Sequence, residues 1–404
     1  MSNPQEPRYA SLDGLRGVAS LVVIGYHALL VVPAISALYI DKAEASPSSV
    51  EWWLFHTPLR LLFAGHEAVL VFFVLSGFVL TLPFLGRPPT VRSTIAYYGR
   101  RVVRLYVPVW ASIALALALA LAVPRNPAMG GWMGTHHDPT LNGLWHDLVL
   151  VLGTSNLNSP LWSLTWEVWF SLLMPVMFLL IGWSRAARWW WAAIPLLMLI
   201  SAVARFDAVR QVLPAAWLTA DLLQYLPVFG IGMLLAFNRA RIAEAASRVT
   251  VWWPIVAAAL LLTVSPTLIA PNGYGPLQAF AYLLSLTGVA TIVALAFASP
   301  VRRALETRPL QWAGTRSFSI YLVHEPILVA AAILVGADGW WWLLVAAPLV
   351  PVILLVAEVF HRFVERPSIT LSRTVGRALA RERRKGRIPS GMRPLPASDA
   401  GQTP

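Results

Sequence analysis

The sequence contains no cysteine, and only two of its 31 basic residues, Lys42 and Lys385, are lysines. Without cysteine there is no disulfide, no thiolate nucleophile and no thiolate metal ligand. Charge of either sign is scarce. Only 12% of the 404 residues are Asp, Glu, Lys or Arg, against 57% hydrophobic, whereas soluble domains carry about 25% charged residues. So few charges cannot clothe a soluble surface of this size, which excludes the two or three soluble domains that the length alone suggests. The first apolar run begins near Gly17 and no clear small-residue cleavage site follows it, so it reads as a retained span rather than a cleaved leader. Internal repeats are also lacking, and no stretch leaves room for an appended soluble catalytic domain.

What the sequence has is apolar length. Mean hydropathy is +0.64, and runs able to cross about 30 Å of hydrocarbon recur along the chain. The pattern predicts about ten spans, near 15–35, 67–86, 105–123, 160–182, 189–204, 222–238, 251–270, 278–299, 318–336 and 340–360. The expected fold is therefore an all-α, polytopic transmembrane helix bundle. The stretch 189–204 is short, with Trp189, Trp190 and Trp191 as interface anchors. The apolar stretch 144–153 is too short to span and is expected along the surface.

With the N-terminus in the cytoplasm, the inside loops hold Arg87, Arg92, Arg100, Arg101 and Arg104, then Arg185 and Arg188, then Arg239, Arg241 and Arg248, then Arg302, Arg303, Arg308 and Arg316. The outside loops hold only Lys42, Arg60, Arg125, Arg205 and Arg210. This is the positive-inside asymmetry. It makes the net charge of +12 a topology signal, with no nucleic-acid partner. Both termini are expected in the cytoplasm and the protein in the cell (plasma or inner) membrane as a multi-pass protein. One integral membrane domain is expected over 1–370, followed by a basic, largely disordered cytoplasmic tail over 371–404.

A titratable group in hydrocarbon is a functional candidate by default. His27 lies in the first span, 11 residues after Arg16; at 100° per residue the two share a helix face, roughly 16 Å apart. Such a face can hold a phosphate at its Arg16 end and present the far end of a phosphopantetheine-like arm to the imidazole. Asp13 is the expected N-cap of this helix. Glu167 falls early in the fourth span, a few residues below the outer surface, where it can orient an imidazole or relay protons. Ser76 and Gly77 fall at the centre of the second span, where small residues permit close helix packing. His324 and Glu325 either line a donor entrance or help satisfy carbonyls freed by Pro326. Arg101 and Arg104, three apart, can share a helix face and clasp phosphate bidentately. His136 and His137 lack a third ligand at helical spacing, so no metal is assigned.

Taken together and in order, these segments resemble the membrane-bound acyltransferase family 3, which includes O-acetylases of bacterial surface polysaccharides and some antibiotic-modifying acyltransferases. The resemblance rests on Leu12-Asp13-Gly14-Leu15-Arg16-Gly17 with His27, on Phe72 to Phe78 around Ser76-Gly77, and on Arg101-Val102-Val103-Arg104 with Pro108. It continues in Leu161-Trp162-Ser163-Leu164 with Glu167 and Phe170, and in Ser319-Ile320-Tyr321-Leu322-Val323-His324. It implies transfer of an acyl group, often acetyl, from acyl-CoA at the cytoplasmic face to a hydroxyl of an envelope glycan, a lipid-linked sugar or a small molecule. Acyl-CoA would be a co-substrate, with no bound cofactor. The family's essential positions carry over to Arg16, His27, Arg101, Arg104 and Glu167, with Ser76 and His324 as further candidates. In this reading His27 and Glu167 are catalytic, the arginines, Ser76 and His324 bind substrate, and His27 acts either as a base or as an acyl carrier. The alternative is a transporter or flippase of a lipid-linked or acylated carrier, in which buried His and Glu serve a proton relay.

Overall fold

The computed structural model describes residues 9–86, 89–183, 188–270 and 275–381. Arg87, Arg185 and the tail beyond 381, including Lys385, lie outside the described residues. Among the described residues every regular element is helical, as expected where backbone groups must be satisfied inside each segment.

Every predicted span has a helix. They are α1 (Ala10–Leu30), continued after a bend by α2 (Pro33–Ile40), then α3 (Gly65–Thr81), α4 (Val91–Ala122), α5 (Leu161–Trp183), α6 (Trp190–Val203), α7 (Ala216–Phe237), α8 (Trp253–Thr263), α9 (Pro276–Ala298), α10 (Ser317–Val335) and α11 (Trp342–Phe360). A single π-helical turn, His361–Glu365, joins α11 to α12 (Arg366–Arg381). Among the described residues seven helical stretches are long and apolar enough to cross a membrane, eight if α1 and α2, bent by 103°, form one broken span. α6 and α8 are apolar but shorter. α12 extends eleven residues into the segment read from sequence as the tail.

Close backbone approach sets the positions around the future site. A Cβ at Gly77 on α3 would run into the Phe229 carbonyl of α7, and one at Gly232 on α7 into the Val74 carbonyl of α3. Mutual glycines thus let these two helices touch backbone to backbone. The Asp13-Gly14-Leu15-Arg16-Gly17 segment does the same at the start of α1. A Cβ at Gly14 would meet the Leu305 carbonyl, one at Gly17 the Leu310 carbonyl, and one at Gly314 the Asp13 carbonyl. With Gly14 pressed against the short helix Arg302–Leu305 and Gly17 against the short helix Arg308–Thr315, α1 turns Arg16 into the interior cavity described below. The helix begins at Ala10, with Tyr9 as N-cap and Asp13 in its first turn, so Asp13 is not the cap that the sequence suggests.

Residues 124–160 do not form a simple outer loop. The helix Leu141–Val149 docks on α4, where Tyr106 donates its hydroxyl to the Val149 carbonyl and Trp110 its indole N–H to that of Leu148. The chain then folds inward, and Trp169 of α5 donates to the Val151 carbonyl. Pro326 lacks an N–H and so frees the Leu322 carbonyl of α10. The fully buried Asn158 fills that vacancy with a 3.0 Å hydrogen bond. Two arginines read as outer-loop charges are also interior: Arg60 is 1% exposed beside Glu67, and Arg125 is 6% exposed.

Candidate active site

A cavity of about 730 Å³ opens between α1, α3, α4, α5, α10 and α12. Five of the seven residues singled out in the sequence line it: Arg16, Ser76, Arg101, Arg104 and Glu167. α4 presents Arg101 and Arg104 from one face, one turn apart, as their spacing predicts. Arg101 is held firmly. Its Nη2 donates to Glu167 Oε1 at 2.8 Å, and its Nε and Nη2 donate to Ser171 Oγ at 3.1 and 2.8 Å. Ser76 Oγ donates to the same Glu167 oxygen over a longer 3.4 Å. Arg16 lies 3.9 Å from Asp13, one turn earlier on α1.

Glu167 therefore does not occupy the outer position expected of it. Because residues 150–160 fold inward, α5 starts deep in the bundle, and the sixth residue after its start meets Arg101 rather than an imidazole. Ser76 and Gly77 divide two roles between adjacent positions, Ser76 facing Glu167 and Gly77 facing α7.

His27 and His324 lie beyond the cavity, at the other end of α1. His324, fully buried on α10, has its Nε2 3.1 Å from His27 Nδ1, so it does not line a donor entrance with the arginines. Each ring also places Nδ1 3.0 Å from the carbonyl four residues earlier, Val23 for His27 and Ile320 for His324. A carbonyl only accepts, so both Nδ1 atoms carry protons. His324 Nε2 is then an unprotonated acceptor for His27 Nδ1–H. This leaves His27 Nε2 with a bare lone pair and no protein partner among the described residues. The arrangement is an imidazole with a free lone pair, oriented by a second imidazole. Tyr321 connects the two regions: it lines the cavity, and its ring centre lies 5.9 Å from that of His324.

Sequence reasoning missed a third contribution, from the π-turn and α12. His361, Glu365, Ile369 and Arg373 line the same cavity. Glu365 accepts from Ser319 Oγ at 2.5 Å and pairs with His361 Nδ1 at 2.9 Å. Arg104 and Arg373 have no carboxylate within ion-pair distance among the described residues, unlike Arg16 and Arg101. The fourfold spacing of Glu365, Ile369 and Arg373 was a usable signal, hidden because Arg373 was counted with the basic tail. His136, set aside as a metal candidate, pairs with Glu325 (Nε2 to Oε1, 2.6 Å). No group of three or more metal-ligating side chains occurs among the described residues. Near that pair, burial draws the Arg125 guanidinium below the usual arginine range, while the Glu325 and Asp138 carboxylates oppose the pull.

Among known proteins, residues 9–362 match the acyltransferase domain of acyltransferase family 3. The chain is similar to acyltransferase MdmB of Streptomyces mycarofaciens, at 28% identity over 98% of this chain and 97% of that protein. It is also similar to acyltransferase R4 of a Phoma species, at 24% identity over 89% and 94% of the two chains. No solved structure matches. Apolar spanning helices and a match over most of the chain lead to one assignment: the protein belongs to acyltransferase family 3 and is a multi-pass membrane acyltransferase.

Proposed function

We propose that the protein transfers an acyl group, acetyl in the simplest case, from acyl-CoA to a hydroxyl of an envelope glycan, a lipid-linked sugar or a small molecule. The observation that carries this reading is the pairing of an arginine-lined cavity at one end of α1 with an imidazole of bare Nε2 at the other. Guanidinium groups bind phosphate through paired N–H donors. Arg104 and Arg373, with no carboxylate partner, would take the donor's phosphates, helped by Arg16 and by the Nη1 of Arg101. The roughly 16 Å between Arg16 and His27 along the helix suits a pantetheine arm. In this orientation the arginine end faces the cytoplasm, and so do both termini, in the inner or plasma membrane.

The chemistry then follows from the tautomers. His27 Nε2 takes the proton of the acceptor hydroxyl as its oxygen bonds to the thioester carbonyl carbon. His324 Nε2, accepting from His27 Nδ1–H, steadies the resulting imidazolium. The carbonyl re-forms as the carbon–sulfur bond breaks, and the proton on His27 passes to the departing thiolate to give free CoA. Glu167 binds rather than relays in this scheme, because its carboxylate fixes Arg101.

The test uses purified protein in nanodiscs with acetyl-CoA, following thiol release and, separately, donor binding. The reading expects saturable donor binding that weakens in Arg104→Ala and Arg373→Ala, and acceptor-dependent thiol release that is lost in His27→Gln. A folded protein that binds no acyl-CoA would overturn the assignment of the donor.

A further inference from the structure

The buried pair Glu325–His136 lies outside the scheme above, although Glu325 directly follows His324. Its protonation can be read from its contacts. His136 Nδ1 is 3.0 Å from the Trp132 carbonyl, four residues earlier, and therefore carries a proton. His136 Nε2 is 2.6 Å from Glu325 Oε1, and two lone pairs cannot meet at that distance, so a second proton lies between them. Arg125 decides which partner owns it. This buried guanidinium sits close enough to feel the Glu325 charge, and its Nε and Nη1 have no hydrogen-bond partner among the described residues. A nearby cation favours the ionised carboxyl, so the pair is carboxylate and imidazolium. Glu325 Oε2 is also buried with no hydrogen-bond partner among the described residues, an expensive arrangement for a charge with only a structural task.

The second imidazole pair is adjacent. Trp132 stands between them, its ring 4.6 Å from that of His136 and 5.6 Å from that of His27. The Glu325 carboxylate interacts electrostatically with both His27 and His324. The other groups around His27 are Tyr26, 5.0 Å away ring to ring, and beyond it the Arg60–Glu67 ion pair, which already pairs its own charges. On α10, Tyr321 is neutral and bonded to Ser163 and the Pro160 carbonyl. Asp138 is engaged by the Arg125 backbone N–H. Glu325 is thus the anion placed to answer a positive charge on the His27–His324 pair.

We propose that Glu325, held ionised by His136 and Arg125, is the counter-charge for the imidazolium that forms on His27 and His324, with His136 a positioning residue that sets how much of that charge they feel. The resting cluster then contains three histidines in two states, His27 and His324 neutral with protons on Nδ1 and His136 doubly protonated. The inference extends the proposed role of His27 as a base, but its test needs neither donor nor acceptor.

The full-length protein, labelled with ¹⁵N-histidine in nanodiscs, reports the tautomer and charge of each imidazole by NMR. Loss of signals in His27→Gln, His324→Gln and His136→Gln assigns them. In wild type at neutral pH, His136 should be cationic and the other two neutral. Glu325→Gln should render His136 neutral and move the His27 titration lower by about one unit, the lower end of what a nearby opposite charge does. His136→Gln, which leaves Glu325 without its nearest cation, should move it higher. Opposite displacements cannot come from loosened packing. A neutral His136 in wild type overturns the proposal even if neither variant folds, as do His27 titrations that move the same way or not at all. If acyl-CoA proves not to be the donor, these signals are unaffected, so the two readings fail separately.

Discussion

Replacing Arg101 by Met should destabilise the protein more than replacing its partner Glu167 by Gln, and the double variant should recover most of the difference. Arg101→Met leaves the Glu167 carboxylate, among the described residues, with only the 3.4 Å hydroxyl of Ser76. Stripping one partner from a buried ion pair costs about 3–5 kcal/mol. Here the side chains keep 13% and 20% exposure, so solvent screening reduces the expected cost to about 2–3 kcal/mol. Glu167→Gln is gentler, because the amide oxygen still accepts from Arg101 and Ser171 still holds the guanidinium; about 1–2 kcal/mol is expected. Removing both charges leaves no stranded carboxylate, so the double variant should unfold near the temperature of Glu167→Gln alone. Thermal unfolding in detergent, run as a double-mutant cycle, measures this coupling. Donor affinity should behave differently. Neither Glu167 nor Ser171 engages Arg101 Nη1, so the double variant should regain stability while its KM for acyl-CoA stays raised. Additive losses of stability would refute the reasoning, and so would full recovery of donor KM.

Other outcomes follow from the same geometry. Arg104→Ala and Arg373→Ala should each raise the donor KM by about tenfold or more, the value of one hydrogen bond to a charged group, with little change in unfolding temperature; the effect should shrink at high salt. His27→Gln should lower acyl transfer at least about a hundredfold, the usual contribution of a general base, in protein that elutes and unfolds like wild type. Gly77→Ala should destabilise by about 1–3 kcal/mol through overpacking, because the Phe229 carbonyl that a Cβ would strike is backbone and cannot move aside; thermal unfolding tests it. Asn158→Ala should strand the Leu322 carbonyl at about 1–3 kcal/mol, seen as lower stability and faster proteolysis of residues 150–160.

Each apolar run predicted as a span became a helix, because hydropathy over about 20 residues is a local property. Register along α1 and α4 was legible too. Helical spacing alone puts Arg16 and His27 on one face and pairs Arg101 with Arg104. Depth was not legible. Glu167 was judged by its distance from the start of α5, and nothing local shows that residues 150–160 fold inward to serve a carbonyl freed by Pro326. Arg60 and Arg125 misled for a related reason, since a charge in a loop looks the same whether the loop faces water or is buried. The Glu325–His136 contact joins residues 189 positions apart, and only tertiary packing reveals it. Arg373 falls in the segment read as a basic tail, and composition alone cannot distinguish a tail arginine from one that lines a cavity.

α11, the π-turn and α12 form a single stretch of 39 residues, Trp342–Ala380, about 58 Å at helical rise and nearly twice the thickness of a bilayer core. The family match stops at residue 362, inside the π-turn and before Glu365, Ile369 and Arg373. The stretch that matches the family thus carries the His27–His324 pair together with Arg16, Arg101 and Arg104, and the cavity residues Glu365, Ile369 and Arg373 follow it in the primary structure. A chimera joined after 362 would keep those residues and exchange only the part of the cavity wall that α12 supplies, which on the proposed reading makes the last helix a natural place to re-tune the choice of donor.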